Sequence, residues 1–328
     1  MKTMRFAMPR QVPPGLWRRV PPVVFAPVLG ALGLVLAWRG GAVLFALDTG
    51  LIEAAAGALV ALTLFAVLTY TVKLGRRPGV LYDELIILPG RAGVGAGVLV
   101  LYLLAGVLVA YAPGVARAVL LAAMLAHVTV LAVLATVFRD GPPERRQVTP
   151  VWHLNWAGFL VAAMVALLLG WRGLATVLLW PSLAVALVIW ATSARQFAAA
   201  VPPPPLRPFL AIHAAPFALT ATVLAGLGQV ALATVFGIAG LLLVLALAAS
   251  GRWLLASGFS PMWGALTFPL SATAGAWIAL ALAGVPGARI VAGMLLVAAT
   301  LVIPPILFLI LRDWARGRLA VKTNAAIA

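Results

Sequence analysis

The sequence predicts an all-α integral membrane protein of ten transmembrane helices, paired as five helical hairpins. Three observations predict it. Of the 328 residues, 64% are hydrophobic and only 9% are charged, and the mean hydropathy is +1.14, far outside the range of water-soluble domains. The apolar residues gather into runs long enough to cross the hydrocarbon core, which takes about 20 residues of helix because every backbone N–H and C=O must be satisfied within the segment. The basic residues fall between those runs and accumulate on one side of them.

Taken in order, residues 1–20 read as a basic cytoplasmic tail. Lys2, Arg5, Arg10, Arg18 and Arg19 are interrupted by Pro9, Pro13 and Pro14, which does not fit a cleaved signal peptide. The membrane domain spans 21–314. Its apolar runs, bounded by charge, Gly or Pro, lie at 23–38, 51–71, 93–112, 115–138, 152–169, 174–194, 209–226, 230–249, 262–284 and 290–311. The seventh and eighth come from one uncharged stretch, too long for a single span, which is divided at Gly226, Gly228 and Gln229. Residues 315–328 read as a second cytoplasmic tail.

The net charge of +16 would direct attention to nucleic acid in a soluble protein; here membrane topology explains it, and no nucleic-acid partner is expected. With ten spans and both termini inside, Arg39, Arg117, Arg172 and Arg289 alone among the 23 Lys and Arg fall outside. This fits a multi-pass protein of the bacterial inner membrane. Cysteine is absent, which removes disulfides, thiolate nucleophiles and Cys-ligated metals. No acidic metal-binding pair, histidine cluster or Gly-x-Ser-x-Gly elbow occurs, so neither an enzyme nor a metal or other cofactor is expected.

The first helices of the five pairs begin near Pro22, Pro89, Pro150, Pro208 and Pro261, a hairpin repeat of roughly 50 to 70 residues. Repeats of this kind place a transport path at a shared interface. Three leading helices carry a matching proline, Pro27, Pro216 and Pro269, each expected to kink its helix. Starting from the residue before the proline, steps of three or four trace faces of small side chains. They are Ala26, Gly30, Gly33 and Ala37 in the first helix, and Ala211, Ala215, Ala218 and Thr222 in the seventh. The ninth has Gly264, Phe268, Ala272 and Gly275, and the fifth has Phe159, Ala163, Ala166 and Gly170. One reading is close helix packing. The other is a lumen lined by small residues with Phe268 as its plug, since a bulky apolar constriction gates by steric block and dewetting.

These residues carry a resemblance. Phe25-Ala26-Pro27-Val28-Leu29-Gly30 with Ala37-Trp38-Arg39, Thr149-Pro150 leading to Met164 and Gly170-Trp171, Ala214-Ala215-Pro216, and Met262-Trp263-Gly264-Ala265-Leu266-Thr267-Phe268-Pro269 resemble the tellurite-resistance/dicarboxylate transporter family. That family includes the bacterial TehA-like proteins and the plant guard-cell slow anion channels. The resemblance implies a homotrimer in which each protomer has its own central pore, with five odd-numbered helices inside and five even-numbered ones outside in a quasi-five-fold arrangement. It also implies an occluding phenylalanine at Phe268 beside a Phe-Gly pair that maps to Phe25 and Ala26, alanine replacing the glycine.

Asp48, Glu53, Asp83, Glu84, Asp140, Glu144 and Asp313 all fall in loops or near span ends, so no intramembrane carboxylate is evident for ion coupling. Passive conduction of small inorganic or organic anions is the reading this favours. The rival is a proton-coupled or facilitated carrier of C4-dicarboxylates, sulfite or tellurite-related oxyanions. His127 and His213 lie mid-span; His213 is two residues, about 200° of helix, from the pre-proline position and is expected in hydrogen-bonded packing. His153 sits at a span end. Beyond anions, the expected partners are membrane lipid and two further copies of the chain.

Overall fold

A computed structural model describes residues 15–328; Lys2, Arg5 and Arg10 lie outside the described residues. The main helices are α1 (Phe25–Phe45), α2 (Gly50–Arg76), α3 (Leu88–Leu108), α4 (Pro113–Asp140), α5 (Phe159–Leu168), α6 (Arg172–Ala199), α7 (Ala214–Gly226), α8 (Val230–Ala249), α9 (Thr267–Leu282) and α10 (Ala288–Ala315). Among the described residues there is no strand, and nine helices are long and apolar enough to cross a membrane.

The helix that falls short is α5. The sequence predicts one span over 152–169, whereas a short helix, Trp152–Trp156, is separated from α5 at Ala157 and Gly158. Ten residues of helix reach only about 15 Å. The break has a physical cause. His127 of α4 donates its Nε2–H to the Asn155 carbonyl at 2.7 Å, the group that an unbroken helix would offer to the Phe159 N–H. A Cβ on Gly158 would come within 2.9 Å of the His127 ring and 2.8 Å of Leu99, so glycine allows α4 and α3 to approach here.

Two further differences concern helix ends. α1 continues past Trp38 to Phe45, which places Arg39 within the helix. Pro27, Pro216 and Pro269, read from the sequence as interior kinks, are each the third residue of an α-helix, just after the 3-10 turns Pro22–Val24, Pro204–His213 and Pro261–Leu266. They occupy the first α-helical turn, where a ring in place of an N–H is tolerated. The other ends repeat too. Gly170, Gly228 and Gly284 have φ of +77°, +86° and +84°. Around them Trp171, Gln229 and Val285 donate N–H to Ala166, Leu224 and Leu280 at 2.8, 2.9 and 3.0 Å, the six-residue closure that ends a helix on a left-handed glycine.

The odd-numbered helices pack on one another in sequence, α1 on α3, α3 on α5, α5 on α7, α7 on α9, and α9 back on α1. Each even-numbered helix packs behind its hairpin partner and against the next odd one, α10 lying against α9 and α1. Burial follows this division. In the apolar windows of α1, α3, α7 and α9, with their lead-in turns, 61–83% of residues are buried, against 17–33% in the even-numbered helices. The outer helices thus keep apolar surface for lipid.

Candidate pore

All five odd-numbered segments begin at one end of the bundle, and a small cavity of about 30 Å³ lies among their N-terminal ends. Each segment contributes to its wall, through Ala26, Gly93, Leu154, Ala215 and Gly264, and Phe268, a residue only 5% exposed, lines it too. Among the described residues, no ionisable side chain lines it. The helix N-termini around it carry partial positive charge, and the first N–H groups of α1, α7 and α9 are engaged by the 3-10 turns before them.

The sequence-derived candidates divide in space. Ala26, Ala215, Gly264 and Phe268 meet around the cavity. Phe25 turns away from it, edge-on to Tyr70 at 5.6 Å and against Gly97. Gly30 and Gly33 face α9; a Cβ on Gly33 would lie 2.5 Å from Ser271 Oγ and 3.3 Å from the Phe268 ring, and one on Gly30 would collide with Thr267. Thr267 Oγ1 reaches the Ala26 carbonyl at 3.2 Å and the Gly264 carbonyl at 2.7 Å, which ties α1 and α9 beside the cavity. Ala163 is fully buried, and Ala218 is buried against Ala221 and Ala276. Thr222 donates its hydroxyl to the Ala218 carbonyl at 3.0 Å. Past Phe268 on α9, Ala272 and Gly275 are partly exposed, and a Cβ on Gly275 would meet nothing within 4 Å. Phe159 is stacked on His127 at 4.1 Å.

The histidines have defined partners. His127 Nε2 must carry the proton it gives to Asn155, so its Nδ1 accepts from the Tyr102 hydroxyl at 3.0 Å. This satisfies a neutral ring completely. His153, uninformative in the sequence, contacts His213 at 2.9 Å; their separation of sixty positions gave no signal.

Among the described residues, charge gathers at the two ends. At the cavity end, Lys73 Nζ lies 2.5 Å from Glu84 Oε1 and 2.7 Å from the Val20 carbonyl, with both side chains fully buried. Burial pushes the Glu84 carboxyl up from its ordinary range, against the opposing pull of the Lys73 ammonium. At the other end, Arg39 grips Glu53 through two bonds of 3.0 and 2.7 Å and the Val107 carbonyl at 2.8 Å, while the Tyr111 hydroxyl also bonds Glu53. Arg39 is therefore a neutralised clasp between α1, α2 and the end of α3.

No curated protein matches this chain. Over residues 19–311, however, it matches the sequence profile of a family described as voltage-dependent anion channels, in agreement with the resemblance carried by the proline and phenylalanine motifs. The matched segment runs from the approach to α1 into the last turns of α10, and the chain belongs to the voltage-dependent anion channel family.

Proposed function

We propose that the chain conducts small anions passively, along a path that runs from the apolar cavity past Phe268 to the open face at Ala272 and Gly275. Phe268 is the gate. The observation that carries this reading is the position of that ring: it stands in the cavity wall, on the α9 face that continues into open space. An apolar constriction of one ring blocks ions by size and by excluding water, and the surrounding helix N-termini favour anions over cations once it moves. The ten helical segments then act as ten spans in quasi-five-fold array, with α5 and its preceding short helix together making the fifth. Three copies form a homotrimer in the bacterial inner membrane, each with its own pore and with both termini cytoplasmic, as the distribution of arginine and lysine supports.

Phe268→Ala in proteoliposomes tests the gate, with nitrate and chloride as probes. Removing a steric and dewetting barrier of about 1.4 kcal/mol raises flux about tenfold, so at least that increase is expected. A well-folded Phe268→Ala protein that conducts no better than the parent removes Phe268 from the gating role.

A further inference from the structure

His153 and His213 take no part in the path described above, yet they meet directly behind its wall. His153 Nε2 lies 2.9 Å from His213 Nδ1, with the rings nearly perpendicular at 5.0 Å. Their sequence neighbours, Leu154 and Ile212, both line the cavity. His153 is 3% exposed, and its Nδ1 is buried without a hydrogen-bond partner. Trp190 of α6 packs beside the pair. Its indole N–H donates to the His213 carbonyl at 3.1 Å, and its ring stacks on Phe217 at 3.7 Å.

The contact selects a tautomer. If His153 accepted from His213, its own proton would sit on Nδ1 as a buried N–H with no acceptor, which folded chains leave unpaired more rarely than they do a buried acceptor. With His153 Nε2–H donating to His213 Nδ1, a bare lone pair on His153 Nδ1 remains. A proton from water that binds there converts the neutral bond to His213 into a stronger, charge-assisted one. Other charged and titratable groups around the pair are engaged: Arg91 of α3 bonds the Leu85 and Arg145 carbonyls, and His127 of α4 is held between Tyr102 and Asn155. The short helix Trp152–Trp156 and α7 carry no further charged side chain. Arg207, on the 3-10 turn of His213, bonds the Pro202 and Trp253 carbonyls. On α6, Arg172 bonds the Gly226 and Leu227 carbonyls, and Arg195 is exposed. Among the described residues, neither ring is within ion-pair distance of a carboxylate.

We propose that the His153–His213 pair takes up one proton when an anion enters the cavity and supplies the positive charge that holds the anion there, so that anion flux rises with acidity. This rests on the anion-channel reading and assigns that path the charge its wall lacks. Burial opposes an isolated charge at His153, and an anion beyond Leu154 and Ile212 offsets that opposition through the low-dielectric wall. The coupling is reciprocal: the anion favours the proton by the same factor as the proton favours the anion.

Two measurements test it. In the Phe268→Ala background, chloride efflux from liposomes is followed between pH 8 and pH 5. The expected rate rises on acidification by up to about tenfold per pH unit. His153→Gln, which keeps a donor near the Nε2 position but cannot take up the proton, and His213→Leu, which removes the acceptor that the charged His153 needs, both flatten that rise. An unchanged pH profile in both variants overturns the proposal while leaving the channel reading intact. Independently of conduction, nitrate added to the detergent-solubilised parent chain at pH 6 draws a proton from solution, read with an indicator dye, and His153→Gln loses that uptake. Absence of uptake in the parent, or equal uptake in His153→Gln, also overturns it. A Phe268→Ala protein that passes no chloride at any pH counts against the channel reading, and the dye measurement still decides the pair.

Discussion

A Cβ placed on Gly275 has open space around it, whereas one on Gly33 would press against Ser271 and Phe268. Both glycines belong to small-residue faces of the same spacing, and the sequence offers no means of separating them, because the spacing of three or four is common to packing seams and lumen walls. Ala26, Ala215, Gly264 and Phe268 were legible because each is fixed in register with a proline in the first α-helical turn, and the cavity lies at that end. Which neighbour each remaining small residue faces is decided by helix rotation, a tertiary property. The difference is testable. Gly33→Val forces α1 away from α9 and costs about 1–3 kcal/mol, as overpacking does, seen as a lower melting temperature in detergent. Gly275→Val melts with the parent but lowers nitrate flux in the Phe268→Ala background. Equal melting temperatures for the two variants would contradict the assignment of Gly33 to a packing seam.

At the scale of elements, the long apolar runs were readable from hydropathy alone, and the division of the seventh and eighth helices was readable from Gly226, Gly228 and Gln229, since Gly228 takes the left-handed turn that residues with a side chain avoid. The break before α5 was not. Residues 152–169 are continuously apolar enough to pass for one span, and the cause of the break is His127, on a different helix, taking the Asn155 carbonyl. A tertiary hydrogen bond has no signature in the local sequence. His127→Phe tests the arrangement, because a ring can still stack on Phe159 while the Asn155 carbonyl and the Tyr102 hydroxyl lose their partner. Each buried group left unpaired costs about 1–3 kcal/mol. Reduced thermal stability is therefore expected, with faster hydrogen exchange along α5 than in the parent. A variant with the stability and exchange of the parent would show that the bond to Asn155 does not hold the break.

Across the whole molecule, the cavity end is tied by the residues just before α1 meeting those after α10. Lys73 of α2 bonds Val20 ahead of α1 and Glu84 ahead of α3, and Glu84 Oε1 also accepts the Ala326 N–H at 3.1 Å. Ala328 and Arg18 exchange two bonds of 2.9 Å, and Asp313 at the end of α10 holds Arg318 and Lys322 at 2.6 and 2.7 Å. The strap over 318–328 lies outside the family match. Its hold on Glu84 depends on protonation. Burial raises the Glu84 carboxyl, so between its ordinary range and its raised one the folded chain binds more protons than the unfolded chain, and the fold loses stability as pH rises through that window. The bond from Ala326 acts in the opposite direction: it lowers the same group, so the docked strap favours the ionised form and weakens as pH falls through the raised range. Lys73 faces Glu84 from α2, Asp83 is its neighbour in sequence, and Arg19 and Arg77 are the further charges that act on Lys73. A nitroxide on Ile327→Cys, the single thiol in this cysteine-free chain, reads the strap directly. It is expected to be immobile at pH 8 and increasingly mobile towards pH 5, whereas Glu84→Gln, which no longer titrates, makes it equally mobile at both. A label whose mobility does not change with pH in the parent would place the hold of the strap in Arg18 and Asp313 alone.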